Sequence, residues 1–158
     1  MIKKLDDIDY KILDILQKDG RVSNQELARQ VDLAPSSCSL RLRHLEEEGV
    51  ISNYHARVDL FKVCRSVTCI AGVYLKGHTH QEFLAFKEMV ESIPEIVEYY
   101  TVSGECDLIL KIVCRDMPEY LQINNKLISS SNYLATINSY VVMEENKPFT
   151  HVNLSTLR

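Results

Sequence analysis

Apolar positions recur at helical spacing from Ile8 to Leu16, change to a strand-like alternation at Val67, and return to helical spacing after Thr79 and again after Asp116. In the first stretch Ile8, Ile12, Ile15 and Leu16 form one stripe, which predicts a helix over 6–18. Asp6 can cap it and Gly20 end it, while Asp7, Asp9 and Asp14 read as a solvated face, the first two favourably near the positive helix end. Ser23 and Glu26 have the spacing of a capping box and open a second helix through Leu27, Ala28 and Val31. Asp32-Leu33-Ala34 breaks it. Pro35 suits the first position of a third helix, and Gly49 the left-handed residue that closes one. Two short helices joined by a tight break form a helix-turn-helix, the arrangement that places a helix in the DNA major groove.

Phase assigns roles along that third helix. At about 100° per residue, Cys38, Leu42, Leu45 and Gly49 fall together and face a core. Ser36, Leu40, Arg43 and Glu47 lie on the opposite pole, flanked by Ser37, Ser39 and His44, with Arg41 nearer the buried side. Hydroxyls pair with either donors or acceptors, a Leu tip can touch a thymine methyl, and Arg can fork onto guanine. Ser36, Ser37, Ser39, Leu40, Arg43 and His44 are therefore the expected contacts with double-stranded DNA. An amphipathic surface helix shows a similar face; the Pro, the Gly and the break in register favour the DNA-reading alternative.

Val50 to Leu60 mixes polar and apolar residues and reads as a strand or arm, on which Tyr54, His55 and Arg57 either reach DNA or lie on the surface. From Val67, Cys69, Ala71, Val73 and Leu75 alternate with Thr68, Ile70 and Tyr74, so both faces of this strand are largely apolar. Thr79 and Glu82 read as a capping box before a helix with the stripe Phe83, Phe86, Val90 and Ile93, closed by Pro94. Two strands follow, Ile96 to Val102 and Asp107 to Cys114, around a turn at Gly104. A helix bracketed by Asp116 and Glu119 carries Tyr120, Leu121, Asn124, Leu127 and Ile128, and a last strand runs from Ala135 to Met143. Strand-helix-strand-strand-helix-strand is the ferredoxin-like order, βαββαβ. Its two helices cover one sheet face. The other, with Ile70 and Tyr74, implies a second copy of the chain.

Composition narrows the function. Among the 158 residues no apolar run approaches the ~20 needed to cross a membrane, and the N-terminus lacks a signal-peptide core. The five cysteines show no paired spacing, which predicts free thiols in a reducing cytoplasm and no zinc; with no membrane span and DNA as the partner, the expected place is cytoplasmic and nucleoid-associated. The net charge of −4 sits awkwardly with DNA. Up to Leu60, nine Lys/Arg face eleven Asp/Glu, so one such domain neutralises few phosphates. Several weak domains on one assembly solve this by avidity. No activated nucleophile is apparent, which argues against an enzyme, although Cys106 in the turn would suit acyl-phosphate hydrolysis.

Ser103-Gly104-Glu105-Cys106-Asp107 is the one stretch of the C-terminal half with chemical character. Gly permits a close backbone approach, free amides can hold a carboxylate, and Glu105 or Asp107 can take an ammonium group. Those are the two ends of an amino acid. A plain hairpin has the same composition. His78 and His80 read as loop histidines, Tyr99 and Tyr100 as strand residues, and Ser129 to Ser131 as a solvated loop.

The chain resembles the Lrp/AsnC regulators. Leu5-Asp6, Asp9, Ile12, Leu13 and Asp19-Gly20-Arg21 carry the likeness first; Pro35, Cys38, Arg41, Leu42, Leu45, Glu46, Gly49 and Ile51 continue it, and it extends through the second half. Ala34 stands where the family usually has Ser, removing a side-chain cap worth about 1 kcal/mol. The resemblance implies an α+β protein with a winged helix-turn-helix domain over 1–52, a linker strand over 53–65 and a ferredoxin-like domain over 66–158. It further implies a homodimer assembling to a higher oligomer, an octamer, and an amino-acid effector with no other cofactor. The family's Gly-Asp-x-Asp turn, which lines its amino-acid pocket, falls on Gly104-Glu105-Cys106-Asp107 with Glu105 replacing the first Asp, so Ser103, Gly104, Glu105 and Asp107 are the expected effector residues. An effector-independent architectural DNA-binding protein of the same fold is the alternative.

Overall fold

Asp6 begins the ordered N-terminal helix in the computed structural model, which describes residues 4–76, 79–129 and 134–157. Its carboxylate accepts from the Ile8 and Asp9 amides at 2.9 Å each, and Asp9 accepts from the Asp6 amide at 3.1 Å. This reciprocal box caps α1 (Asp7–Lys18). The helix ends on Asp19, in extended conformation, rather than through a left-handed Gly20. At the start of α2 (Asn24–Gln30) the expected box is only half made. Ser23 Oγ accepts from the Glu26 amide at 3.2 Å, but the Glu26 carboxylate turns to Arg29 and Gln30. A bidentate guanidinium is a stronger partner than a single amide, and it holds the Glu26 carboxyl down at about 2.

Both helices of the helix-turn-helix close in the same way. After α2, the Asp32 and Leu33 amides donate to the Arg29 and Ala28 carbonyls, with Asp32 at φ +56°. After α3 (Pro35–Glu47), the Gly49 and Val50 amides donate to Glu46 and Leu45, with Gly49 at φ +68°. These are paired Schellman motifs, one using Gly and the other Asp in the left-handed position. Pro35 occupies the first turn of α3, and Ala34 offers no side-chain cap. Ile12, Leu27, Ala28, Val31, Cys38 and Leu45 form the sealed core of this unit, with Leu42 partly buried against it. Gly49 lies at the exposed end of the helix and not in the core.

The stretch expected as a linker strand is not one. Ser52 to Asp59 carries no ladder, and Leu60–Val63 forms a single helical turn, α4. Its polar and apolar residues alternate too weakly to bury a face, and the segment is exposed throughout. The tail also differs from expectation. The chain divides into two compact units, residues 1–57 with 147–158, and residues 58–146. The tail assigned to the C-terminal domain thus packs with the N-terminal one, ending in a 3-10 turn at Leu154–Thr156.

The second unit contains β1 (Val67–Leu75), α5 (His80–Glu91), β2 (Ile96–Thr101), β3 (Leu108–Cys114), α6 (Met117–Ser129) and β4 (Leu134–Val141). The sheet order is β2-β3-β1-β4 and every pair is antiparallel, as a ferredoxin-like fold requires. Cys69, Ala71 and Val73 of β1, with Leu108, Leu110 and Ile112 of β3, are sealed beneath Phe86, Val90 and Ile93 and beneath Tyr120, Ile123 and Leu127. On α6 the buried stripe is narrower than expected. Ile123 belongs to it, while Leu121 and Ile128 are about half exposed at 53% and 50%. The side chain of Glu82, half of the expected Thr79 capping box, lies outside the described residues, as do His78, Ser130 and Ser131.

Candidate nucleic-acid interface and effector turn

The side chains of Ser36, Ser37, Ser39, Leu40, Arg43 and His44 are all exposed on one side of α3, Leu40 at 67%. On the opposite side Cys38 and Leu45 are sealed at 0% and 1%. Burial raises the Cys38 thiol above its ordinary range, as expected of a packing residue. None of the six exposed side chains has a hydrogen-bond or ion-pair partner among the described residues. The helix is also held at its start, where Asn24 Nδ2 donates to the Pro35 carbonyl at 2.9 Å and ties α2 to α3.

Arg41 lies on the flank that phase assigned to it. Its Nη1 donates to Asp6 Oδ2 at 2.6 Å and to Asp9 Oδ1 at 2.8 Å. Asp9 is therefore no solvated residue: its side chain is 15% exposed and joins α1 to α3. Asp14 pairs instead with Lys18 at 2.6 Å along α1. Asp6 is held below its ordinary range, chiefly by the Asp9 amide and next by Arg41. On the arm, Tyr54 is a structural residue. Its hydroxyl donates to Glu46 Oε1 at 2.9 Å and its ring lies against Gly20. Desolvation first, then Glu46, push its phenol up to about 12. Arg57 Nη1 donates to the Phe149 carbonyl at 3.2 Å, and His55 is exposed. Sequence spacing gave no sign of either partner, because both bonds join segments far apart or irregular.

In the other unit, β2 leads through residues 102–107 into β3. Gly104 takes φ +156°, which L side chains rarely adopt, and no atom lies within 4 Å of where its Cβ would stand. Glycine is thus required for conformation, not for crowding within this chain. Ser103 and Glu105 are exposed. Asp107 is half-buried and fastened to β1. Its Oδ2 accepts from the Leu75 amide at 2.8 Å, its amide donates to Val73 at 2.9 Å, and its carbonyl accepts from Val102 at 3.1 Å. Cys106 packs its Sγ near Gly72 on the open sheet face.

That open face carries Thr68, Ile70, Gly72 and Tyr74 opposite Val113, Lys111, Ile109 and the residues of β4 that end at Tyr140. Tyr140 is 67% exposed. Tyr100 and Glu98 extend the face, bonded to each other at 2.8 Å, with Lys111 at 2.9 Å from Glu98. Tyr99 turns to the helix side, its hydroxyl 2.6 Å from Glu91 and its ring 5.8 Å from Lys87. Among the described residues no three His, Cys, Asp or Glu side chains gather as a metal site, and no helix is long and apolar enough to cross a membrane.

Comparison with known proteins agrees with both halves. Residues 5–52 match the model of a winged helix-turn-helix DNA-binding domain, and residues 68–152 that of the Lrp/AsnC ligand-binding domain. The leucine-responsive regulatory protein of Escherichia coli is 35% identical over 154 residues, covering 98% of this chain and 94% of that protein. The glutamate uptake regulatory protein of Zymomonas mobilis is 34% identical over 150 residues, 95% of this chain and 91% of that one. An AsnC family transcriptional regulator from Agrobacterium tumefaciens superposes with a TM-score of 0.88 at 32% identity, over 98% of this chain and 100% of that one. A transcriptional regulator of Neisseria meningitidis, solved as its L-Met complex, gives 0.89 at 29% identity over 98% and 100%. These relatives are regulators, and the chain is not an enzyme. It belongs to the Lrp/AsnC family of transcriptional regulators, with a helix-turn-helix DNA-binding domain followed by a ligand-binding domain.

Proposed function

We propose that the chain reads DNA sequence through Ser36, Ser37, Ser39, Leu40, Arg43 and His44, acts as a homo-oligomer, and answers to a small amino acid. The observation that carries this reading is the asymmetry of α3: one side sealed, the other an exposed set of hydroxyls, one apolar tip and one arginine. Groups of this kind discriminate base edges in the major groove.

Oligomerisation follows from charge and from the sheet. Up to Leu60 acidic residues outnumber basic ones, and Lys18, Arg29 and Arg41 are ion-paired to Asp14, Glu26 and Asp6, which weakens the attraction of a single unit for phosphate. Avidity between several units compensates. The open face around Ile70, Ile109 and Tyr140 supplies an apolar surface for a second copy, and further assembly to an octamer builds on that dimer. Full-length chain is expected to scatter light as a dimer or larger, and Ile70→Glu to scatter as a monomer. An unchanged mass for Ile70→Glu would remove the sheet from the interface.

The effector reading rests on Ser103, Gly104, Glu105 and Asp107. Asp107 braces the turn through the Leu75 amide, and the exposed Glu105 carboxylate stands beside it in the turn as a second group able to pair with an ammonium. The L-Met complex of the Neisseria relative supports an amino acid as the ligand class. Calorimetric titration with each common amino acid is the test. At least one is expected to bind, with Glu105→Gln weakening it about ten- to hundredfold through loss of a charge-assisted bond. A parent that binds none supports the effector-independent architectural reading instead.

A further inference from the structure

The chain leaves the DNA-binding unit after Arg57 and returns to it at Lys147. Two covalent connections therefore join the units, where a single hinge would have sufficed. The returning tail is specifically held. Gln17 Nε2 donates to the Val152 carbonyl at 3.2 Å, and the Val152 amide donates to Gln17 Oε1 at 2.9 Å. One side-chain amide thus satisfies both backbone groups of a residue 135 positions away, as a neighbouring strand would. Beyond it, Asn153 Oδ1 accepts from the Ser155 amide at 3.2 Å and its hydroxyl at 2.6 Å, and the 3-10 turn so capped packs on α1. Before it, the Arg57 bond to the Phe149 carbonyl joins the tail to the other connection. An unstructured tail gives no reason for an amide at position 17 to face it in register.

We infer that the tail is a strap on the DNA-binding unit, that Gln17 is the positioning residue that fastens it, and that the strap restricts the half-site spacing a dimer tolerates. A unit on one flexible linker can swing to meet a displaced half-site at small cost. A unit fastened at two points has lost most of that freedom. Helix-turn-helix dimers read half-sites about one helical turn apart, so inserting half a turn separates strapped from unstrapped units. This rests on the DNA-binding reading above.

The experiment uses the full-length parent, Gln17→Ala, and a chain ending at Asn146. Duplexes are selected from random DNA by the parent, and their half-sites are then separated by about 5 extra base pairs, half a helical turn. The parent is expected to lose roughly ten- to hundredfold in affinity on the shifted duplex, and both variants about threefold or less. Amide exchange of Val152 is measured alongside, expected at least about fivefold faster in Gln17→Ala, the equivalent of one lost net hydrogen bond. A purely stabilising contact would lower the variants' melting temperature and leave the spacing penalty intact. The same spacing penalty in parent and variants, or a Val152 amide equally unprotected in both, overturns the inference. A parent that selects no DNA overturns the DNA-binding reading instead, and Val152 exchange then decides the docking of the tail by itself.

Discussion

Arg41 Nη1 stands 2.8 Å from Asp9 Oδ1, so the helix that presents the exposed serines, Leu40 and Arg43 is ion-paired to the first helix of the domain. The pair is two-thirds or more shielded, with side-chain exposures of 33% and 15%. Arg41→Ala leaves Asp9 without its partner and is expected to destabilise the N-terminal unit by about 1–2 kcal/mol, discounted for the exposed side of the guanidinium. Chemical melts of Arg41→Ala, of Asp9→Asn and of the double variant should show strongly less than additive losses. Full additivity would mean that the pair does not couple the helices.

Asp6 gives this junction a pH dependence. Its carboxyl is held below the ordinary 3.8, so the stability it contributes is fully present above that value and lost as pH falls through the lower folded one. Asp6→Asn keeps a competent cap and removes the charge. Its melting deficit against the parent should therefore be complete at about pH 6 and shrink progressively as pH falls below 3.8. Glu26, held at about 2 by Arg29, titrates in both proteins and cancels from the difference. A deficit that persists unchanged at the acid end would show that the charge of Asp6 contributes nothing.

The left-handed residue after α2 is Asp32, at φ +56°, where α3 uses Gly49 at +68° for the same closure. Asp tolerates this conformation at a cost that glycine avoids. Asp32→Gly is expected to raise stability by about 0.5–1 kcal/mol, and Asp32→Val to lower it by at least as much. Thermal melts decide the order, and a parent more stable than Asp32→Gly would point to a bond made by the Asp32 carboxylate.

Leu40, 67% exposed among serines, has only one apolar partner in a major groove, the thymine methyl. Replacing thymine by uracil at the base it faces should cost about 0.8 kcal/mol, the burial of one methyl group. Leu40→Ala should abolish that difference. Equal sensitivity to uracil in parent and Leu40→Ala would place the methyl contact on another residue.

Much of this architecture was legible because local rules and packing agreed. The Pro35 start, the Gly49 stop and the inward phase of Cys38 and Leu45 each report short-range physics, and each fell where spacing predicted. The doubly apolar β1 likewise announced a central strand. What escaped was tertiary. Asp9 reads as surface acid until Arg41, 32 residues on, is brought beside it. Asp107 reads as a turn carboxylate, and nothing local announces that it also accepts from the Leu75 amide, 32 residues back on another strand. The Gln17–Val152 pair has no periodic signature at all, and the polar Val50–Leu60 segment carries strand-like residues with no strand to pair with.

Sequence reading by α3 is the centre of this account, and Arg43 tests it most directly. The measurement is the affinity of full-length parent and Arg43→Ala for a duplex selected by the parent and for a random duplex of equal length, at one fixed salt concentration. The predicted result is a loss of about 1–3 kcal/mol, roughly 5- to 150-fold, on the selected duplex, with a much smaller loss on random DNA and relaxed preference at one base position. Equal losses on both duplexes would make Arg43 a phosphate contact alone and contradict the assignment of the exposed face of α3 as the reading surface.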